Sequence, residues 1–247
     1  MLGLDTIGPR NLLVIDTSTE RAAVGVFVAP RSVNWTSGEA NRKHGRDLVP
    51  CVRDLIQTAG LAIHDLHVVA VGIGPGSFTG LRIGLTASKT LAYATSAELI
   101  GFDSLEGMAA NAPADALSVH VVADAQRGDV YAADFARHVP GEPLFRVCES
   151  RIEPLAGWSS RLGGTGCVLG PGLASPSIRA AVPEAMTIGD PELDRPRADR
   201  LIELARRLWQ GGQRDNLHAL EPRYLRRSAA ENQWAGAAER NSLSTKP

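Results

Sequence analysis

The sequence predicts an α/β chain of two lobes, each with strands first and helices after. Three observations predict it. An apolar run at Asn11–Thr17 and an alternating, β-rich stretch at Ala22–Ala29 read as a hairpin across Ser18 to Arg21. A continuous apolar run, Val68–Ile73, passes through a Gly-rich turn into a helical pattern at about Thr79–Ser96. The strand pattern then restarts near Ser118. A length of 247 residues fits between one and two domains of roughly 150.

The elements follow in order. Ser32–Thr36 supplies a third strand. From His44 to Ala59, Leu48, Cys51, Val52, Leu55 and Ile56 fall at helical spacing, and Gly60 is the expected stop. Glu98–Phe102 reads as a short strand, and Ser104–Asn111 as a helix ended by the break at Pro113. Strands are expected at Ser118–Ala123, Asp129–Arg137 and Leu144–Ile152. Gly163–Gly172 is a Gly-rich turn around the apolar Cys167–Leu169. The last helix spans about Ala198–Gln210, with Leu201, Leu204, Ala205 and Leu208 on one face. No short-period repeat is visible.

Composition narrows the function classes. The chain is 44% hydrophobic with only 5% aromatics, so its core rests on Leu, Val, Ile and Ala. A net charge of −1 excludes a generally basic protein that coats nucleic acid by charge alone. The start has no basic segment followed by an apolar run, so no signal peptide is expected. No stretch approaches about 18 uncharged apolar residues. Cys51, Cys148 and Cys167 are odd in number and far apart, which argues against a disulfide framework or a thiolate zinc site and for a reducing cytoplasm.

Several segments could carry chemistry. Gly74-Pro75-Gly76-Ser77-Phe78-Thr79-Gly80 lies between a buried strand and a helix, where free amides and the helix dipole favour an anion. It is neither a Walker loop nor the dinucleotide fingerprint. An ordinary turn capped by Ser77 or Thr79 fits as well. Asp16-Thr17-Ser18-Thr19 ends the first strand, as a phosphate loop or as a simple turn. Gly80, Gly84, Ser88 and Ala92 recur every four residues, leaving a nearly bare helix ridge. Such a ridge admits another helix closely, either a partner's or one of the chain's own. The six histidines form no HExxH or HxxxH pattern, and Gly76-Ser77 lacks the glycine two residues later that a nucleophile elbow needs. Arg195–Arg227 holds nine arginines against four carboxylates, a solvated face or a contact for RNA phosphate.

Ile15-Asp16-Thr17-Ser18-Thr19-Glu20, then His44, then GPGSFTGLRIG from Gly74 to Gly84, resemble the bacterial TsaB (YeaZ) family. Asp124-Ala-Gln-Arg-Gly-Asp-Val-Tyr131 is similar to its DxR-type motif, with Gln126 where the family usually has Arg and Asp129 where it has Glu. Glu221 to Arg226 is similar to its closing EPxYLR. The resemblance runs from about Asn11 to Arg227.

It implies an actin-like (ASKHA, ribonuclease H-like) fold. One lobe would span 11–103 and the other 104–227, with the 198–210 helix packing back on the first lobe and flexible ends at 1–10 and 228–247. It implies a non-catalytic partner of TsaD in making N6-threonylcarbamoyladenosine at position 37 of tRNAs reading ANN codons, together with TsaE. The donor would be threonylcarbamoyl-adenylate from a separate synthase. ATP and metal would belong to the partners, tRNA would be met only within the complex, and no membrane is involved. The implied interface, with TsaD or a second copy, is a four-helix bundle using Leu48, Cys51, Val52, Leu55, Ile56, Gly80, Leu81, Gly84, Ser88 and Ala92. The catalytic relative carries two metal-binding histidines spaced HxxxH, and Ser104 and Met108 stand in their places. Asp16, Thr17, Ser18, Thr19, Gly74, Gly76 and Ser77 would be vestigial nucleotide loops. The competing reading is an active phosphotransferase of the same fold, using Asp16–Thr19 and the Gly163–Gly172 turn. An independent peptidase finds no nucleophile–base pair by motif.

Overall fold

In the first lobe β1 (Asn11–Asp16) and β2 (Ala23–Val28) pair antiparallel, Asp16 opposite Ala23, and β3 (Arg31–Thr36) adds to β2. The computed structural model describes residue 9 and residues 11–29, 31–36 and 44–226. The expectation of flexible ends therefore falls, apart from Pro9, outside the described residues. Helix α1 (His44–Thr58) leads to β4 (Val68–Gly72), α2 (Phe78–Thr95) and β5 (Glu98–Phe102). β4 pairs parallel with both β1 and β5, so the sheet order is β3-β2-β1-β4-β5.

The second lobe repeats this plan. After α3 (Ser104–Ala109) come the antiparallel β6 (Ser118–Asp124), β7 (Asp129–Ala136) and β8 (Phe145–Pro154). Then follow α4 (Leu155–Arg161), β9 (Cys167–Leu169), α5 (Pro176–Ala180), β10 (Thr187–Ile188) and α6 (Ala198–Gln210). β9 runs parallel to β6 and to β10, giving the order β8-β7-β6-β9-β10. Counted within each lobe, both sheets read 3-2-1-4-5. The duplication is one of topology, which no sequence period announces. This is the two-lobed actin-like architecture the resemblance implies.

Strand alternation assigns each sheet face. Leu13, Ile15, Val24, Val26, Val69 and Val71 meet α1 and α2, while Leu12, Val14, Val68, Ala70 and Ile100 meet Leu201, Leu204 and Ala205 of α6. Fully burying each such leucine contributes roughly 1.5–3 kcal/mol. In the second lobe Leu105 and Met108 of α3 pack on Val119, Val121 and Phe135, and Trp158 and Ile178 cover the other face with Val122 and Val168. The lobes thus exchange helices. The helix after each lobe's fifth strand crosses to the other sheet, α3 onto the second and α6 onto the first.

The small ridge on α2 is corrected by the structure. Gly80, Leu81, Gly84, Ser88 and Ala92 all face the chain's own interior. A Cβ at Gly80 would overlap the Thr17 carbonyl oxygen, and one at Gly84 would overlap Thr17 Oγ1. The glycines let α2 settle onto the end of β1, where Thr17 Oγ1 donates to the Gly80 carbonyl at 2.7 Å. Leu48, Val52, Leu55 and Ile56 of α1 likewise belong to the first core, with Cys51 half-buried beside them. Nine of these ten residues are buried and Cys51 lines the edge of the core, because a surface helix turns its apolar stripe inward first.

Candidate functional site

A cleft of about 1300 Å³ opens between the lobes. The first lobe contributes the loop Ser18–Arg21 and the start of α2, Pro75–Thr79. The second contributes Asp124–Arg127 of the β6–β7 turn, Arg179 of α5 and the 191–195 segment. Ser77 caps α2 by accepting the Gly80 N–H, as one of the two sequence candidates for that cap.

The proposed phosphate loop is only partly at this cleft. Ser18, Thr19, Gly76 and Ser77 line it, whereas Asp16 and Thr17 lie behind, 1% and 0% exposed, and Gly74 packs against Leu81 and the Arg223 carbonyl. Asp16 Oδ1 accepts the Ser18 N–H at 2.7 Å, and Oδ2 is buried without a hydrogen-bond partner of good geometry. Burial pushes the Asp16 carboxyl up to about 6, partly offset by its contacts with Ser18 and the adjacent Ser104 hydroxyl. The Ser104 hydroxyl accepts the Gly74 N–H at 3.1 Å. Met108 is 1% exposed and part of the second-lobe core. The Ser104 hydroxyl is therefore engaged by the backbone and the Met108 thioether by core packing. The Gly163–Gly172 turn offers no phosphate cradle at Gly170 either, since even a Cβ there would overlap the Val122 carbonyl.

The closing EPRYLR segment straps the lobes together. Beyond α6, Asp215 binds Leu99 and Gly101 of β5, Lys89 donates to the Leu220 carbonyl, and the Arg223 N–H bonds Ile73 at 2.7 Å. Its side chains then reach across. Arg223 bridges Asp103 and Glu149 at 3.0 Å each, and Arg226 pairs with Asp129 at 2.5 Å and with the Gln126 carbonyl. Asp129 and Arg226 thus tie the β6–β7 turn to the chain's closing segment. Gln126 and Arg127 both hold left-handed backbone, φ 63° and 59°, a costly conformation for side-chain-bearing residues, at the cleft wall.

The arginine-rich stretch is mostly spent on internal pairs, contrary to a free RNA-facing patch. Arg195 pairs with Glu192, Arg197 with Asp199, Arg200 with Glu203, Arg207 with Glu106 and Arg214 with Glu98. Arg206 lies over the Phe27 ring at 4.4 Å. Arg227 lies outside the described residues.

Sequence reasoning missed one arrangement. Ser118 Oγ lies 3.2 Å from His120 Nε2, and His120 Nδ1 lies 2.8 Å from Asp134 Oδ1. The i, i+2 spacing on β6 and the cross-strand pair His120–Asp134 on β7 bring them together. Burial would raise Asp134, but His120, Arg151 and Arg161 more than offset it and hold the carboxyl well below the usual range. With two guanidiniums on its acid, the group is a structural ion-pair network.

On the solvent-facing sides of the first-lobe helices, Val49 of α1 is 66% exposed and Tyr93 of α2 is 75% exposed. No helix among the described residues is long and apolar enough to cross a membrane.

The family model for TsaD, tRNA N6-adenosine threonylcarbamoyltransferase, matches residues 37–142. The chain is 30% identical over 244 residues to the tRNA threonylcarbamoyladenosine biosynthesis protein TsaB of Escherichia coli strain K12, spanning 91% of this chain and 98% of the relative. It is 28% identical over 228 residues to the protein of the same name from Bacillus subtilis strain 168, spanning 90% and 97%. YeaZ from Pseudomonas aeruginosa superposes with a TM-score of 0.76 at 27% identity, covering 87% of this chain and 99% of that one. With a shared fold and near end-to-end similarity, the chain belongs to the TsaB (YeaZ) family of tRNA threonylcarbamoyladenosine biosynthesis proteins.

Proposed function

We propose that this chain is the non-catalytic partner of a TsaD-type threonylcarbamoyltransferase, acting with TsaE on adenosine 37 of tRNAs reading ANN codons. The observation that carries this reading is the pair Ser104 and Met108. At the two positions of the relative's metal histidines the chain offers a hydroxyl bound to Gly74 and a thioether inside a core. Neither replaces an imidazole on a hard or borderline metal. Burial of Asp16 behind Ser104 removes the main carboxylate that a phosphotransferase would need at the first-strand loop. ATP and metal are then the partners' concern, in the cytoplasm.

The partner docks on the outer sides of α1 and α2, not on the glycine ridge. Val49 and Tyr93 are large, exposed side chains on those sides, and exposed aromatics are favoured anchors of interfaces. A second copy of the chain uses the same face when TsaD is absent. The test is reconstitution: purified chain, TsaD, TsaE, threonylcarbamoyl-adenylate and tRNA, omitting one protein at a time. Modified adenosine is expected only when TsaD is present, and transfer by this chain alone overturns the reading.

A further inference from the structure

We propose that the interlobe cleft binds single-stranded RNA, its phosphates on Arg21, Arg127 and Arg179 and a base against the Phe78–Tyr224 pair. This rests on the reading above, and names what the cleft takes while the helices hold the partner.

Four observations carry it. The cleft, about 1300 Å³, exceeds the roughly 300–1,000 Å³ of a small-molecule site, which leaves room for more than one nucleotide. Three of its arginines are held by no close partner. Among the described residues the guanidiniums of Arg21, Arg127 and Arg179 make no close hydrogen bond or ion pair, Arg179 acting only at longer range on Asp194, while nearly every other arginine nearby is paired. These three come from both lobes, so a ligand that neutralises all of them must span the cleft.

Four carboxylates line the cleft, and Glu20 is the one among them with no bond to another described group. Asp124 accepts the Gln126 N–H at 2.6 Å, Asp194 accepts the Gly170 N–H at 2.8 Å, and Glu192 pairs with Arg195. Arg21, Arg127 and Arg179 still present guanidinium donors to a phosphate, while Asp194 offsets part of the Arg179 charge.

Finally, Phe78 and Tyr224 stack at 4.7 Å between centroids and remain 36% and 37% exposed at the cleft. Arg82 fixes the pair, lying over Phe78 at 3.9 Å and donating to the Tyr224 hydroxyl at 2.9 Å. A rigid, half-exposed aromatic beside unpaired guanidiniums is how proteins hold unstacked bases and their backbone. Arg127 lines the cleft wall on left-handed backbone, φ 59°.

The experiment measures binding of the full chain to a labelled 12-nucleotide single-stranded RNA and to an anticodon stem-loop across a salt series. ATP and inorganic phosphate serve as competitors. Weak binding is expected, with a log–log salt slope near −2 from three phosphate contacts at about 0.7 each. The triple variant Arg21→Gln, Arg127→Asn, Arg179→Gln should abolish that slope, with the circular dichroism spectrum retained. Tyr224→Ala should weaken binding about tenfold. If the triple variant does not fold, Arg179→Gln alone should lower the slope by about 0.7. An unchanged slope in whichever variant folds overturns the proposal. So does displacement of RNA by ATP or phosphate at equal concentration, which would make the cleft a small-anion site. Pull-down with TsaD on the same variants reads the partner role separately. Lost RNA binding with intact assembly supports both ideas, and failed assembly of the wild-type chain defeats only the partner reading.

Discussion

Asp16 shows what burial does to a carboxylate at a strand end. Its carboxyl is lifted from 3.8 to about 6, so the folded chain holds this proton more tightly than the unfolded chain. Stability from this group is therefore present at low pH and lost as pH rises from about 4 through 6. Keeping the carboxylate charged at neutral pH costs about 3 kcal/mol. Asp16→Asn preserves the acceptor for the Ser18 N–H and offers its amide to Ser104. It should raise stability by about 1–3 kcal/mol at pH 8 and change little at pH 4.5, as urea melts at the two pH values will show. Asp194, also pushed up to about 6 by burial, acts in the same direction in both proteins and cancels in the comparison. Gly84 teaches a related lesson. Its every-fourth-residue spacing was legible, but not its destination, because Thr17 lies 67 positions earlier in the chain. Gly84→Ala should cost about 1–3 kcal/mol and Gly84→Leu should prevent folding. Thr17→Ala, which removes the overlapping oxygen, should recover part of the alanine variant's loss in a double-mutant cycle.

At the scale of elements, the strongly periodic segments were readable. β5 and α6 fall where spacing puts them, and α1 and α2 lie within one residue of their expected ends. The short α4 and α5 were not readable, since five to seven residues around Trp158 and Ile178 carry too little periodicity to distinguish them from loop. Apolar spacing also could not separate core from interface. The same Leu48, Val52, Leu55 and Ile56 stripe would serve either, and the sheet claims it because burial within the chain needs no partner. The docking surface proposed above is then what remains outside. Val49→Glu combined with Tyr93→Glu should leave the thermal melt within about 0.5 kcal/mol of wild type, as exposed sites usually do. Pull-down by TsaD and self-association in sedimentation should both fall at least tenfold. Retention of both would move the interface elsewhere.

For the whole molecule, motif order carried the family and topology supplied what motifs lacked. The repeat of 3-2-1-4-5 in both lobes, and the exchange of α3 and α6 between them, depend on pairings far apart in sequence. The same is true of the strap. Glu221–Arg226 is a recognisable motif, yet its function as a tie between Ile73, Asp103, Glu149 and Asp129 appears only when both lobes are assembled. The candidate cleft was half legible. Ser18, Thr19, Gly76 and Ser77 come from motifs, whereas Arg21, Arg127, Arg179 and Tyr224 meet there only through the fold.

The central claim is that this chain supports threonylcarbamoyl transfer without performing it. Its most direct test is the yield of N6-threonylcarbamoyladenosine on tRNA, by nucleoside chromatography, with threonylcarbamoyl-adenylate supplied and proteins added singly and together. The account predicts no product from this chain alone, product from the mixture with TsaD and TsaE, and loss of that product when Val49→Glu, Tyr93→Glu replaces the wild-type chain. Product from this chain alone, or undiminished product when it is left out of the mixture, would contradict it.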